Sequence, residues 1–514
     1  MTAAQPALIT ALLEPDRCPH SVQRVDLVET HGAWVLLAGD EAWKIKKPVC
    51  LPFMDFSTLA LRRAACQAEV RLNRRFETAD PTTHLYLDAL PIVGPVHDPR
   101  WGQPGKDDDS AIEWAVHMRR FNEDLRLDRL CARGALKPGH LHALAQRMAA
   151  FQAAAAVAPV DGPWGQAADV LDFARDNLTV LRAGLTNPGD APLIDALNAW
   201  TEARATQLAP LLAQRLATGC VREGHGDLHL ANLVLIGNEV VAFDGIEFND
   251  ALRWIDVASD MAFAWMDLLD HGQPGLANGL LSDWLDASGD TTAPDVLPFF
   301  AVYRALVRAK VAVIRSTQAG ADAVSSLVEA RGYAALALRT ARPPAPQLVI
   351  THGLSGSGKT WASSRWLQTE TSGRAIRLRS DVERKRLHGL RATQSSGSGL
   401  NTGLYSPQAH TDTYAHLLER TGQLLRGGWS VLVDAAFLRR HEREAFAELA
   451  QAAGCPFHIL ATEAPLAVLR ERITERQARG ADASEATVAV LEQQLGWLEP
   501  LGESERARCL PAGH

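Results

Sequence analysis

Eight residues in the second half of the chain have the types and spacing of a phosphate-binding loop. Gly353-Leu-Ser-Gly-Ser-Gly358-Lys359-Thr360 fits the pattern G-x-x-x-x-G-K-[ST], after an apolar run at 348–351 and before a helical run. In such a loop, glycines let backbone N–H groups surround phosphates, the lysine reaches the β- and γ-phosphates, and the hydroxyl binds Mg²⁺. We therefore predict nucleotide contacts at Gly353, Ser355, Gly356, Ser357, Gly358, Lys359 and Thr360, with Thr360 also a metal ligand. The alternative is an ordinary Gly-rich turn.

Two carboxylates follow other predicted strands of the same half. Asp381 comes after the strand at 374–378, and Asp434 closes the strand at 431–433. Ligands of open α/β sheets bind at the carboxyl ends of the strands. Asp434 is therefore predicted to hold Mg²⁺ through water, and Asp381 to accept the proton of an attacking hydroxyl. Each could instead be a helix N-cap or a turn carboxylate.

An arginine-rich helix follows further along the chain. Arg472, Arg476 and Arg479 lie at i, i+4 and i+7 and share one helix face, with Arg470 on the same helix. We predict that this face closes over the triphosphate and neutralises charge in the transition state, with Arg472 and Arg476 as catalytic groups. A solvated helix face is the alternative.

A second set of chemical residues lies in the first half. His225-Gly-Asp227-Leu-His-Leu-Ala-Asn232 has the D-x-x-x-x-N spacing of a kinase catalytic loop, and an apolar strand then delivers Asp244. In this chemistry Asp227 accepts the hydroxyl proton, while Asn232 and Asp244 bind Mg²⁺. Together the two pieces are much more specific than either alone. The alternative is a structural turn. We expect His225 and His229 to be satisfied core residues or to orient the loop, and not to react.

A kinase site also needs a strand lysine that is paired with a helical glutamate to hold the α- and β-phosphates. Lys44 lies in an apolar strand, and Glu69 lies on the helix that follows. Lys46 shares the strand face of Lys44, and Lys47 is adjacent, so the choice among the three stays open. No G-x-G-x-x-G precedes them, which argues against a protein kinase.

The chain divides into two blocks around the proline-rich sequence ARPPAPQ. Residues 1–340 show short turn-bounded strands and then alanine- and leucine-rich helices, which predicts an α+β domain with a small β-rich lobe and a larger helical lobe. Residues 341–347 form a linker, because prolines do not fit a helix interior. In residues 348–514, apolar strands alternate with helices, as in an α/β doubly wound parallel sheet.

Composition narrows the functional classes. The chain has 514 residues, 47% hydrophobic and 22% charged, with a net charge of -8, which predicts a globular protein and disfavours general nucleic-acid or membrane attraction. Seven scattered cysteines without a C-x-x-C pair suggest free thiols in a reducing compartment. We find neither a signal sequence nor an apolar run of about 20 residues, so a cytoplasmic protein is predicted.

These motifs carry two family resemblances. Residues 346–510 resemble the P-loop kinases that include gluconate kinase, chloramphenicol phosphotransferase, zeta-type kinases and the kinase half of polynucleotide kinases. The resemblance implies an ATP site at the Gly-rich loop, an acceptor-site acid at Asp381 beside Arg384, and a lid bearing Arg472, Arg476 and Arg479.

Residues 20–335 resemble the aminoglycoside phosphotransferase and choline kinase group, a bilobal protein-kinase-like fold. The resemblance supports the roles of Asp227, Asn232, Asp244, Lys44 and Glu69, and it implies that a further family acid, Asp256, braces a helix. The order of the two domains is similar to that of bacterial proteins described as bifunctional aminoglycoside phosphotransferase/ATP-binding proteins. The cofactors implied for both domains are ATP and Mg²⁺.

The leading hypothesis is an ATP-dependent phosphotransferase with two sites that act on a hydroxyl of a small metabolite, such as a nucleoside or a sugar. Arg304, Arg308 and Arg315 share a helix face, which favours an anionic or neutral acceptor if that face lines the pocket. The alternative is a solvated face or a row of pairs to neighbouring acids. A nucleic-acid-end kinase in the second domain, and a nucleotide-binding regulatory module, are the other hypotheses. The sequence leaves open the acceptors, the choice of ATP or GTP, and the oligomeric state.

Overall fold

The computed structural model describes residues 4–511 except 31, 52–53, 78–79, 319–321, 393, 395–402 and 480–485. The chain forms two compact units. The first comprises Met1–Leu136, Ala154–Val170 and Ala209–Ala264, and the second comprises Lys137–Ala153, Leu171–Leu208 and Trp265–His514.

The first part of the chain is rich in strands. Short 3₁₀ helices connect many of the elements, which are α1 (Ala4–Leu12), β1 (Asp26–Glu29), β2 (Ala33–Ala38), β3 (Glu41–Lys46), β4 (Cys50–Leu51), β5 (Met54–Asp55), α2 (Leu59–Asn73), β6 (Tyr86–Val93), β7 (Arg100–Trp101), β8 (Ala111–Arg119) and α3 (Leu127–Ala132).

Long helices and two small strand pairs come next. They are α4 (Pro138–Ala154), α5 (Ala167–Gly184), α6 (Asp190–Ala217), β9 (Val221–Glu223), β10 (Leu233–Ile236), β11 (Glu239–Ala242), β12 (Trp254–Asp256), α7 (Val257–Asp270), α8 (Pro274–Ser288), α9 (Ala293–Ser316) and α10 (Ala323–Ala341). Helices α4, α5, α6 and α7 each contain a division between the two units.

Strands and helices alternate in the last part. They are β13 (Leu348–His352), α11 (Lys359–Thr369), β14 (Ala375–Arg379), α12 (Ser380–Leu387), α13 (Pro407–Arg426), β15 (Ser430–Asp434), α14 (Arg440–Ala452), β16 (Phe457–Ala461), α15 (Leu466–Arg479), α16 (Val488–Leu495) and α17 (Glu503–Arg506).

In the first unit, β1-β2-β3-β8-β6-β7 form a sheet whose neighbouring strands are antiparallel. Its central strand β3 pairs Lys44 with Val35 on β2 and Val116 on β8. Helix α2, which begins after the N-cap Thr58, covers this sheet; the side chain of Thr58 accepts a hydrogen bond from the Leu61 N–H. The sheet therefore holds a strand lysine opposite a helix.

In the second unit, β14-β15-β13-β16 form a parallel sheet. All residues of β13 and β15 are buried, which explains their continuous apolar sequence. This sheet, together with the strand-rich first unit, confirms the predicted fold class. Independent folding of 1–340 and 348–514, with 341–347 as linker, stays a prediction.

Helix α8 covers the outer edge of β14, which is the edge strand of the parallel sheet. The Asn278 side-chain oxygen accepts from the Ala375 N–H at 2.9 Å, and the Ser282 hydroxyl accepts from the Arg377 N–H at 3.1 Å. Four helical residues and two strand residues both span about 6 to 7 Å, so the two spacings match. Both α8 side chains are fully buried. A helix from the first sequence block thus completes the hydrogen bonding of a strand in the second.

Among the described residues, no helix combines the length and apolarity that crossing a membrane requires.

Candidate functional sites

The first site is built around two buried lysine–glutamate contacts. Lys44 Nζ donates to Glu69 Oε1 at 2.9 Å and to Asp244 Oδ1 at 2.5 Å. Lys46 is buried and binds the other oxygen of Glu69 and also Glu247. Of the two lysines, Lys44 lines the cleft and reaches Asp244, whereas Lys46 packs beneath it. The predicted pair of Lys44 with Glu69 is therefore present.

These contacts set the charges in the site. Desolvation opposes a charge on Lys44, but the carboxylates of Asp244 and Glu69 outweigh it and raise the pKa of Lys44 well above its usual value. Desolvation likewise opposes ionisation of Asp244, but Lys44 holds the pKa of Asp244 below its usual value. Near neutral pH the site therefore holds the charged Lys44 beside the ionised Asp244, a carboxylate of the kind that binds Mg²⁺.

Asp244 has an unusual backbone conformation. Its φ of 60° lies in the left-handed region that L residues rarely adopt. Its N–H donates to the hydroxyl of Tyr86 at 3.0 Å, and the N–H of the next residue, Gly245, donates to the Asn73 side-chain oxygen at 2.8 Å. Such strain persists only where surrounding contacts fix it, and it is concentrated at functional sites.

The predicted catalytic loop is held together by its own side chains. Asn232 Nδ2 donates to both Oδ2 and the backbone oxygen of Asp227, each at 3.0 Å. His229 Nε2 lies 3.3 Å from Asp227 Oδ2. His225 is fully buried, and its Nε2 contacts the Phe243 carbonyl at 3.0 Å. The geometry gives His225 the orienting position that the sequence suggested, and it leaves the Asp227 carboxylate partly exposed.

Sequence reasoning missed Asp260, which anchors this loop. Its buried carboxylate accepts the N–H groups of His225 and Gly226 at 2.8 and 2.9 Å. A Cβ on Gly224 would lie 2.5 Å from Asp260 Oδ2, so a glycine is needed there. One feature of the sequence could have revealed Asp260. It is an aspartate within the apolar run of α7, and a carboxylate buried in such a run needs hydrogen-bond partners.

Asp256 has the bracing contact that the family resemblance implies. Its carboxylate accepts two hydrogen bonds from Arg215 at 2.6 and 2.7 Å, and both side chains are buried.

A cleft of about 830 Å³ opens on this site. Lys44 and Asp244 line it together with aliphatic residues of β2 and β3 and with Phe121. Asp227, Asn232 and Glu69 are not among its lining residues. Asp227 is nevertheless close enough that its charge acts to raise the pKa of Asp244. The cleft therefore has a lysine and a carboxylate at its inner end.

The second site is the loop between β13 and α11. Gly353, Gly356 and Gly358 all have positive φ values, of 153°, 83° and 97°. A Cβ on Gly353 would approach the Thr462 carbonyl oxygen to 2.4 Å. A side chain at these positions would therefore distort the loop. A loop that wraps phosphates with its N–H groups requires such glycines.

Lys359 bonds backbone atoms within this loop. Its Nζ donates to the carbonyls of Gly353 and Leu354, both at 2.8 Å. Desolvation lowers the pKa of Lys359 to about 8, although Asp434 and Asp381 act in the opposite direction. Because no carboxylate of the described residues is hydrogen-bonded to this ammonium group, phosphate oxygens would be better partners for it than the present carbonyls.

A cavity of about 840 Å³ brings the predicted residues of this site together. It is lined by Ser355, Gly356, Gly358, Lys359, Thr360, Asp381, Asp434, Arg472 and Arg476, among others. The Asp434 carboxylate accepts from the Ser363 hydroxyl at 3.0 Å, and Asp381 pairs with Arg384 at 3.1 Å. Gly353 and Ser357 are not in the lining; the Ser357 hydroxyl bonds that of Thr462 at 2.8 Å.

The arginines of α15 have different surroundings. Arg472 donates to the Gly356 carbonyl at 3.2 Å, and Arg476 has a buried Nε without a hydrogen-bond partner in the described part of the chain. Arg470 instead forms an exposed pair with Glu492. The side chain of Arg479 lies outside the described residues. Two of the predicted lid arginines therefore reach the cavity.

Gln494 on α16 is a further contact that sequence reasoning missed. Its side-chain oxygen accepts the Ser355 N–H of the Gly-rich loop at 2.8 Å, across 139 positions of sequence. No local pattern could reveal a contact at that separation.

The residues present fit a nucleotide with Mg²⁺. Glycines leave room for phosphates, and Thr360 and Asp434 in one site, like Asn232 and Asp244 in the other, supply oxygen ligands. Within the described ranges, no three His, Cys, Asp or Glu side chains are grouped to hold a metal by themselves. Mg²⁺ bound through one or two carboxylates takes its other ligands from phosphates and water, so it needs no such group.

The basic face of α9 is used in helix packing. Arg308 donates to the Tyr333 hydroxyl at 3.2 Å, and Arg315 donates to Ser326 at 3.2 Å and pairs with Glu329. Arg304 is buried. These contacts with α10 favour the structural alternative, so this face gives no support to an anionic acceptor.

Comparison with known proteins agrees with this description. A family model described as an AAA domain matches residues 348–501. An uncharacterized protein of Mycobacterium tuberculosis is 30% identical over 495 residues, which is 94% of each chain.

Two solved structures are similar to parts of this chain. The amicoumacin kinase hAmiN is 13% identical with a TM-score of 0.39, over 65% of this chain and 93% of its own. A putative kinase from Chloroflexus aurantiacus is 24% identical with a TM-score of 0.24, over 29% of this chain and 75% of its own. On the strength of this match over 94% of both chains, the chain belongs to the same family as the mycobacterial protein, and its residues 348–501 match an AAA domain.

Proposed function

We propose that this protein is a phosphotransferase that moves the γ-phosphoryl group of ATP to a hydroxyl of a small molecule, and that it does so at two separate sites. One observation carries the proposal. Each site places a lysine suited to nucleotide phosphates near a carboxylate suited to Mg²⁺ and a second carboxylate suited to a hydroxyl proton.

In the first site, Lys44 is held by Glu69 in position for the α- and β-phosphates, and Asn232 and Asp244 supply the metal ligands. Mg²⁺, when bound, neutralises charge on the phosphates. Asp227 takes the proton of the acceptor hydroxyl as its oxygen forms a bond to the γ-phosphorus. The bond from that phosphorus to the β–γ bridging oxygen breaks, and ADP leaves.

In the second site, Gly353, Ser355, Gly356, Ser357 and Gly358 cradle the phosphates. Lys359 meets the β- and γ-phosphates. Thr360 and Asp434 would hold Mg²⁺, Asp381 would take the hydroxyl proton, and Arg472 and Arg476 would stabilise the charge of the transferring group.

Labelled ATP and the full-length chain test this proposal. The chain is incubated with γ-labelled ATP and a fractionated pool of metabolites and RNA, and labelled products are identified. Asp227→Asn should lower first-site turnover by about 10²-fold or more, because the base is lost. Lys359→Ala should abolish second-site labelling, because the phosphates lose their cation. A double variant that labels the pool as the wild type does would disprove the proposal, and label in RNA ends would indicate a nucleic-acid-end kinase.

A further inference from the structure

The cavity of about 840 Å³ at the P-loop has an excess of positive charge. All its lining residues belong to the second compact unit. Six of the described side chains that line it are lysine or arginine, and three are aspartate or glutamate. The proposed function assigns Lys359, Arg472 and Arg476 to the nucleotide phosphates. Three arginines of the lining are then left over: Arg379, Arg384 and Arg439.

Two of these three arginines have a carboxylate neighbour. Arg384 pairs with Asp381 at 3.1 Å, and Arg379 Nη1 lies 3.9 Å from Asp286 Oδ2. Arg439 differs, because no aspartate or glutamate of the described residues forms an ion pair with it. An unbalanced cation in the wall of a cavity favours a ligand of negative charge.

The guanidinium of Arg439 lies on an aromatic ring. Its Cζ is 4.8 Å from the centre of the Trp497 ring, and both side chains are half-buried and line the cavity. A stacked guanidinium keeps its N–H edge available for a carboxylate or a phosphate. The stack is also held through the backbone, because the Glu499 N–H donates to the Leu438 carbonyl at 2.9 Å.

The segment that leads from β15 to Arg439 is fixed in an unusual conformation. Phe437 has a φ of 48°, in the left-handed region that bulky L residues rarely adopt. Its N–H donates to the Tyr414 hydroxyl at 3.1 Å, and Arg443 Nη1 donates to the carbonyls of Phe437 and Leu438, both at 3.1 Å. Strain of this kind is concentrated at functional sites, where surrounding contacts maintain it.

An aromatic wall connects this stack with the proposed base of the site. The ring of His410 lies 5.9 Å from that of Trp497 and 4.6 Å from that of Tyr414, and all three line the cavity that Asp381 also lines. Burial raises the pKa of Tyr414, and the charges of Glu442 and Asp381 act in the same direction. Tyr414 is therefore within electrostatic reach of Asp381, and the wall runs from the base toward the stacked arginine.

We propose that Arg439, stacked on Trp497, is an anion subsite for the acceptor of the P-loop site, and that this acceptor is a small hydroxylated compound with a carboxylate or phosphate group. The guanidinium N–H groups donate to the anion, and the hydroxyl that receives the phosphoryl group lies at Asp381. Carboxylate and phosphate oxygens share the chemistry that a guanidinium recognises. The inference rests on the proposed function of the P-loop site.

The test uses the full-length chain carrying Asp227→Asn, which lowers transfer at the first site. The probes are small metabolites that pass a filter that retains RNA, separated by ion exchange into cationic, neutral and anionic fractions, with the retained RNA as a fourth. Each fraction is incubated with γ-labelled ATP. Label that persists when Lys359→Ala is added comes from the first site and is subtracted. Treating the anionic fraction with a phosphatase, which is removed before the assay, distinguishes a phosphate from a carboxylate.

Three variants address the subsite itself. Arg439→Gln removes the cation, and Arg439→Lys keeps it. Arg440→Gln is the matched control, because this neighbouring arginine is exposed and is not among the residues that line the cavity.

We expect label in the anionic fraction alone. Arg439→Gln should raise the concentration of this fraction that gives half-maximal labelling about ten- to a hundredfold, through loss of charge-assisted hydrogen bonds. Arg439→Lys should have a smaller effect, and Arg440→Gln none. The Kd for ATP at the P-loop site, measured with Lys44→Ala added, should stay unchanged in all three variants.

Label in the neutral, cationic or RNA fraction instead would overturn the inference, as would equal effects of Arg439→Gln and Arg440→Gln. Loss of ATP binding in Arg439→Gln would also overturn it, because the side chain would then have a structural role. These outcomes leave the proposed function standing as long as Lys359→Ala abolishes the label. If Lys359→Ala leaves ATP binding and labelling intact, or if no fraction is labelled, the proposed function itself fails.

Discussion

The two candidate sites hold their lysines in opposite electrostatic settings. Lys44 is hydrogen-bonded to two carboxylates, which raise its pKa well above the usual value. Lys359 is hydrogen-bonded to two backbone carbonyls, and burial lowers its pKa to about 8. Carboxylates of the protein balance the first cation, whereas under the proposed function the phosphates of a nucleotide would supply the counter-charge of the second. One site is therefore organised by side chains and the other by backbone.

The largest contrast should appear in stability. Lys46 stands between Glu69 and Glu247, and all three side chains are buried. Lys46→Met would leave Glu247 without this partner, which should cost about 3 to 5 kcal/mol. Lys359→Met breaks no ion pair seen in the described part of the chain and should change stability little. Hydrogen exchange of the β3 and α2 amides under increasing urea measures the loss of stability in Lys46→Met. Exchange of the β13 amides measures the loss in Lys359→Met. Equal losses in both variants would show that the contrast is absent.

A smaller effect is expected at the anchor of the catalytic loop. Asp260→Asn removes the charge that accepts two N–H groups, which should cost about 1.5 to 3 kcal/mol. The loop would shift, so first-site turnover should fall while the KM for ATP stays constant. Asp256→Asn is the matched control, because it weakens the contact with Arg215 without touching the loop. If both variants lower turnover equally, Asp260 has no positioning role.

The smallest effect concerns pH. Below about pH 8 the free P-loop site carries a charged Lys359, and above it the lysine must take up a proton when phosphates bind. The Kd for Mg²⁺-ATP should therefore rise above pH 8, by at most about tenfold per pH unit. Lys44 stays charged throughout this range, so the first site should not share this trend. Titrations between pH 7 and 9.5 in Lys44→Ala and Lys359→Ala variants separate the sites, and parallel curves would contradict the comparison.

The motifs could be found from sequence because their geometry is local. The Gly-rich loop and the Asp227 to Asn232 segment each fix their atoms through a few consecutive residues, and Lys44 and Glu69 are only 25 positions apart. The bonds of Asp260 and Gln494 instead join residues 34 to 139 positions apart, and no periodicity encodes such pairs.

The basic face of α9 illustrates a limit of such patterns, because helical spacing predicts a shared face but not what covers it. In the structure that face packs against α10. Whether Asp227, Asp381 and the other site residues have the roles assigned to them stays a prediction that the variants above address.

The cover that α8 places on β14 has a consequence for how this chain can be divided. A fragment that begins at residue 348 would lose Asn278 and Ser282, and two strand N–H groups would lose their acceptors. A bare strand edge beside an apolar sheet is a template on which another copy can add its own strand. We therefore expect that truncation at the proline-rich segment exposes the edge of β14, although the sequence changes character there. In the full-length chain α8 occupies this edge, so the Ala375 and Arg377 N–H groups are not open to another strand.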